Sequence, residues 1–170
     1  MKLPSVKTAL LILVTAVCTM LLTVLFIAIV SQGNLRVSSH GTIYALDYEV
    51  YGGNISFVDS KPTFDWGAII VGDSTNRSFY LRSKSTIATR PELNTTNWKF
   101  YDGQNQPTET PSLNYLTVKW DFMDSSLAPN QEVYVTLTLT VEYNMNFVDQ
   151  IINYGIKSFT FDVLIQPSIT

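Results

Sequence analysis

Two hydrophobic patterns follow one another along this chain. From Ala9 to Val30 the residues are apolar without interruption by charge, and only Thr15, Thr19 and Thr23 carry polar side chains. From Thr42 onward the apolar residues are instead spaced two apart, between clusters of Gly, Pro, Asn and Ser. The first pattern predicts a helix apolar on every face, the second a succession of strands with one buried side.

As a helix rising about 1.5 Å per residue, Ala9–Val30 would reach roughly 33 Å, enough for a hydrocarbon layer about 30 Å thick. Lys2 and Lys7 precede it, and the first charge after it is Arg36. That asymmetry keeps the N-terminus in the cytoplasm and exports the chain beyond Val30. A cleaved signal peptide is the rival, with Ser31-Gln32-Gly33 as its small-residue site. Its apolar core would be about 7–15 residues, shorter than this one, so an uncleaved anchor is preferred. A pilin-like leader fits less well, because Lys7-Thr8 lacks the small residue such a leader cuts after. The expected layout is a cytoplasmic 1–8, a transmembrane 9–30, a polar stalk over 31–41 and a folded domain over 42–170.

Within the domain, Tyr44, Leu46, Tyr48 and Val50 alternate with Ala45, Asp47 and Glu49 as one strand ended by Gly52-Gly53. Asn54–Phe57 is a short edge strand. Phe64–Ile70 and Asn76–Arg82 are two strands joined by a tight turn at Gly72-Asp73-Ser74, with Phe79 and Leu81 on one face and Ser78, Tyr80 and Arg82 on the other. Thr86–Thr89 is β-prone, Pro91 interrupts, and Leu93–Phe100 follows with Trp98. A loop over Asp102–Ser112 leads to Tyr115–Asp121. Glu132–Tyr143 then places Val133, Val135, Leu137, Leu139, Val141 and Tyr143 on one side, and Tyr134 with three threonines on the other. A helix would scatter those six residues around its circumference. A helical turn is expected around Val148–Ile151, and a last strand, Lys157–Ile165, buries Phe159, Phe161, Val163 and Ile165. Short strands, regular turns and no long helix after the anchor predict an all-β fold: an antiparallel β-sandwich of immunoglobulin-like architecture. Trp66, Trp98 and Trp120 are expected in or near its core.

Composition narrows the function. Beyond residue 30 there are nine Lys or Arg against fourteen Asp or Glu, so the exported part carries 9 − 14 = −5. With no basic cluster, nucleic acid is not an expected partner. The one cysteine, Cys18, lies in the apolar run, so the domain has no disulfide to rely on. His40 is the one histidine and reads as a loop residue, since it cannot build a histidine metal site alone.

Three sequons, at Asn54, Asn76 and Asn94, are candidate N-glycosylation sites, provided the asparagine faces outward. Asp121 with Asp124, and Asp102-Gly103-Gln104-Asn105, offer oxygen ligands. Neither matches a calcium loop, which needs about six to eight oxygens, and both read as solvated turns. No nucleophile elbow, HExxH spacing or phosphate-binding loop is present, so neither a catalytic residue nor a cofactor is expected.

Several segments together resemble a group of small archaeal exported proteins. They are Ser39-His40-Gly41-Thr42-Ile43, Glu49-Val50-Tyr51, Asp65-Trp66-Gly67-Ala68-Ile69 with Gly72-Asp73-Ser74, Arg77–Arg82, Thr95-Thr96-Asn97-Trp98, Leu127–Glu132 and Phe159–Ile165. The likeness spans about residues 38 to 165. Val71 stands where the group often has proline, and Ser83-Lys84-Ser85 replaces an Asn/Gly-rich turn. The resemblance implies one N-terminal membrane segment and a single immunoglobulin-like sandwich, and carries over no catalytic residue.

A sandwich tethered by one helix, without a chemical site, is expected to present a surface. The expected function is a non-catalytic binding or structural module of the cell envelope, contacting an envelope protein or a glycan. The alternative is a filament subunit, a homo-oligomer in which Thr42–Val50 completes a neighbour's sheet.

Overall fold

The computed structural model describes residues 15, 17, 19–23, 35–123 and 126–168, and the chain divides at Leu35/Arg36 into two units. In the first, Thr15, Val17 and Thr19–Thr23 are helical, and the Thr23 hydroxyl donates to the Thr19 carbonyl at 2.8 Å. Among the described residues no helix is long and apolar enough to cross a membrane. The rest of the expected span, Cys18 and the Ser31-Gln32-Gly33 site lie outside the described residues.

Among its described residues the second unit holds nine strands: β1 (Arg36–Ala45), β2 (Tyr48–Tyr51), β3 (Ile55–Val58), β4 (Lys61–Ile70), β5 (Ser74–Ser83), β6 (Arg90–Tyr101), β7 (Leu116–Trp120), β8 (Glu132–Val141) and β9 (Ser158–Ser168). They form two sheets, ordered β3-β4-β1-β9-β6 and β2-β5-β8-β7. Phe64 of the first sheet meets Phe79 of the second with ring centres 5.5 Å apart, so the core lies between the sheets. Every pairing is antiparallel except one: β1 runs parallel to β9 from Ser38↔Ser158 to Ala45↔Ile165.

Strands with clean alternation form as read. Val135, Leu137, Leu139 and Val141 of β8 are buried, as are Phe159, Phe161, Val163 and Ile165 of β9. Val133 is half-buried, and Tyr143, past the end of β8, is 56% exposed. Trp66 is buried, whereas Trp98 and Trp120 are half-buried. Trp98 caps the core by stacking on Phe161, ring centres 4.2 Å apart.

Three expectations are corrected. Half of the expected stalk is strand: β1 starts at Arg36, and Val37 and Ser39 are buried. Thr42–Val50 is not one strand, because the chain leaves the first sheet at Ala45 and enters the second at Tyr48, with Asp47 at φ 61° and Leu46 55% exposed at the crossing. The Gly72 turn, with φ 98°, joins β4 to β5 as expected, and the two strands lie in different sheets without pairing. Pro91 does not break its strand: β6 is an edge strand whose one neighbour in the sheet order is β9, and proline is tolerated on such edges.

A bulge explains the phase of β4. Ser39 pairs with Gly67 and His40 with Asp65, so Trp66 is the extra residue. Gly67 takes φ 75°, which glycine adopts without a Cβ clash, and its N–H is held by Asp65 Oδ1 at 2.8 Å. The buried positions therefore step from Phe64 and Trp66 to Ile69. The helical turn expected near Val148 is a helix, α1 (Met145–Asn153), capped by Asn144 and burying Phe147, Val148 and Ile151.

Candidate functional site

The outer face of the second sheet collects three tyrosines. Register sets Tyr51 of β2 beside Tyr80 of β5, and Tyr80 beside Tyr134 of β8. The Tyr51 and Tyr80 rings stack 5.7 Å apart; Tyr80 and Tyr134 meet edge to face at 4.9 Å. Both are geometries that aromatic rings favour. Tyr80 remains 38% exposed and Tyr134 56% exposed.

One row along, Glu49, Arg82 and Glu132 stand side by side on the same three strands. Arg82 joins them: Nη1 lies 3.3 Å from Glu49 Oε2, and Nη2 donates to Glu132 Oε2 at 3.0 Å and to the Tyr51 hydroxyl at 2.7 Å. Its guanidinium carbon sits 4.9 Å from the centre of the Tyr51 ring. Lys84 adds a 3.6 Å contact to Glu49. Tyr51 is thus held between Arg82 and Tyr80, which leaves Tyr134 the freest of the three rings.

The Gly52-Gly53 turn shapes the edge of this row. Both residues have positive φ, and a Cβ on Gly53 would overlap the Ser78 carbonyl. Their lack of side chains lets Asn54 continue the edge of β5: its N–H donates to the Ser78 carbonyl at 2.8 Å, and its Oδ1 accepts from the Ser78 N–H at 3.0 Å. On the other side of the tyrosines the face is hydroxyl-rich. Ser78 and Thr136 share a hydrogen bond at 3.0 Å, followed by Asn76 beside Thr138, with Lys119 of β7 beside Thr138 in turn.

The three sequon asparagines are all exposed and are not brought together. Asn54 lies in the turn before β3, Asn76 on β5 and Asn94 on the edge strand β6. In Asn54 the oxygen is occupied, whereas a glycan would attach through the nitrogen, so the Ser78 bond and a glycan are chemically compatible.

His40 is not a loop residue. It projects from β1 beside Asp65, Nε2 to Oδ1 3.5 Å, at a shallow hollow of about 370 Å³ shared with Thr42, Thr160 and Asp162. His40 and Asp65 are mostly exposed, and Asp162 is bonded to Asn97 Nδ2 at 2.7 Å. The oxygen-rich loop has a structural occupant: Asp102 Oδ1 accepts from the N–H groups of Gln104 and Gln106, each at 2.8 Å. Asp121 Oδ1 accepts from the Thr136 N–H at 2.7 Å, and Asp124 lies outside the described residues. Among the described residues no three His, Cys, Asp or Glu side chains are grouped to hold a metal ion.

Sequence reading assigned no role to the tyrosine row. On the outward side of its strand Tyr80 stands between Ser78 and Arg82, and Tyr134 between Glu132 and Thr136. A large ring at such a position is the signal that could have found them.

No protein-family model and no curated protein matches the sequence. Among solved structures the chain is similar to the ASH / PapD-like domain of human CEP192 (PapD-like domain 7), at 11% identity. The match covers 72% of this chain and 85% of that one, with a TM-score of 0.35, a likeness that transfers neither residue roles nor ligands.

Proposed function

We propose that the chain is a non-catalytic module of the cell envelope, anchored through residues 9–30, that displays an immunoglobulin-like sandwich outside the membrane and contacts an envelope partner through the outer face of its second sheet. The observation that carries this reading is the row Tyr51–Tyr80–Tyr134, in which the exposed rings of Tyr80 and Tyr134 pack across strands beside a Tyr51 held by Arg82. Rigid aromatic side chains lose little conformational freedom on contact, which favours binding. The anchor rests on the apolar run and its flanking lysines, and the lack of a catalytic role rests on the absence of a recognisable catalytic motif in the sequence.

Position-specific photocrosslinking in intact cells tests the contact face. A photoreactive residue in place of Tyr134 should give a discrete adduct, whereas one in place of Ile87, which is 68% exposed elsewhere, should not. Equal labelling from both positions would defeat the proposal.

The alternative, a filament subunit, carries a cost set by where the donated strand sits. The domain's first strand is the middle strand of its sheet, bonded to β4 on one side and β9 on the other. The segment that would be donated is β1, not Thr42–Val50, which straddles both sheets. Leaving would strip Val37 and Ile43 from the core at about 1.5–3 kcal/mol each, to be recovered only in a neighbour's groove. Residues 31–170 that stay monomeric at high concentration argue against this second reading; rods that vanish on deleting residues 35–45 would establish it over the first.

A further inference from the structure

We infer that the outer face of the second sheet binds a neutral polysaccharide, with Tyr134 and Tyr80 packing against sugar rings and the Thr136–Thr138–Asn76 side holding sugar hydroxyls. The inference rests on the proposal that this face is the contact surface, and names its ligand class.

The chemistry of the face selects the ligand. Beyond the tyrosines, the outward positions of β5 and β8 are Ser74, Asn76, Ser78, Thr136, Thr138 and Thr140, and none is aliphatic. A protein partner reaching past the tyrosine rings would have to desolvate these hydroxyl and amide groups with no aliphatic side chain among them to offset the cost. A sugar chain presents hydroxyls to such groups while its C–H faces suit the electron-rich faces of aromatic rings. Neighbouring strands lie about 4.8 Å apart and same-face residues about 6.8 Å apart along a strand, so the donors and acceptors form a regular grid.

Charge sets the sign. Arg82 is committed to Glu49, Glu132 and Tyr51, and is not offered to an anion. At the opposite edge β7 contributes one cation, Lys119, and Asp121 follows two residues later as one anion. The face is therefore close to neutral on a domain of net charge −5 (9 − 14), and a uronate or sulfated chain meets repulsion without a compensating cluster. Asn76 lies on the same grid, so an N-glycan there would occupy the space the polysaccharide needs.

The test is affinity electrophoresis of the full chain in detergent, made in a host that adds no N-glycan. The gels contain hydroxyethyl cellulose, galactomannan or dextran, or alginate as the anionic control. At least one neutral polymer should slow the protein by twofold or more, and alginate should not. Tyr134→Ala and Thr138→Lys should each abolish the shift while Ile87→Ala keeps it, with all three variants showing the wild-type unfolding midpoint within a few degrees. No shift in any neutral gel, an equal shift in alginate, or a shift that survives both face variants would overturn the inference. If the gels fail while crosslinking from position 134 still gives its adduct, the ligand class is wrong and the contact face stands; if both fail, the face itself is abandoned.

Discussion

Residue 41 has no room for a side chain beneath Trp66. A Cβ built there would stand 2.9 Å from the indole Nε1 and 3.3 Å from the Phe161 carbonyl oxygen. Trp66 cannot withdraw freely, because its ring packs 5.5 Å from Phe64 and 5.8 Å from Phe161. Gly41→Ala should therefore destabilise residues 31–170 by about 1–3 kcal/mol, the range for overpacking a filled core. Urea denaturation measures it, and a change within error would mean that the strand can shift away from the indole.

Leu137 lies at the centre of β8 with no exposed surface. Leu137→Ala should lower stability by about 2–5 kcal/mol, while Tyr143→Ala, at an exposed position past the strand's end, should change it by less than about 0.5 kcal/mol. Similar effects from the two would place the inward face of the longest threonine-rich strand on the wrong side.

Arg82 holds two carboxylates that are themselves half-exposed, so its ion pairs are screened by solvent. Arg82→Ala should cost only about 1 kcal/mol of stability. Its larger effect should be on the freedom of Tyr51, read as faster ring flipping by NMR with Tyr80 less affected.

Tyr48 is buried, and its hydroxyl donates to Thr89 Oγ1 at 2.9 Å. Burial lifts its pKa above the ordinary 10.0, against the opposing pull of the Thr89 hydrogen bond and with a smaller push from Asp47. The folded chain thus keeps this proton when the unfolded chain has begun to lose it. The contribution to stability is intact below pH 10 and falls as pH rises through 10 toward the folded value. Tyr48→Phe should flatten that alkaline decline in denaturation curves between about pH 8 and 11; an unchanged slope would assign the decline to other groups.

The proposed topology has its own check. Protease added to intact cells should remove residues 31–170 and leave the N-terminal segment protected, and a domain that resists until the cells are lysed would reverse the orientation.

Legibility in the sequence came from local periodicity. Val135 to Val141 and Phe159 to Ile165 each sit on a strand that stays in one sheet, so alternation maps directly onto burial. One error arose where the chain changes sheets. Tyr44 to Val50 keeps a period of two through Leu46, and nothing local shows that the backbone turns at Asp47 into the other layer. A Gly72-Asp73-Ser74 turn reads the same whether its strands pair or oppose one another across the core. The tyrosine row was hidden for a related reason: residues 51, 80 and 134 become neighbours only through strand register, a long-range property.

The lone parallel pairing gives the domain a mechanical character. Because β1 and β9 run the same way, Arg36 and Ser168 mark opposite ends of that ladder. A pull between these ends draws the two strands lengthwise past each other, and the bonds from Ser38 to Ala45 share the load at the same moment. An antiparallel pair seized at adjacent ends would instead peel, one bond at a time. A domain built this way is suited to resist tension along that ladder, and its first strand is the one that clamps it shut.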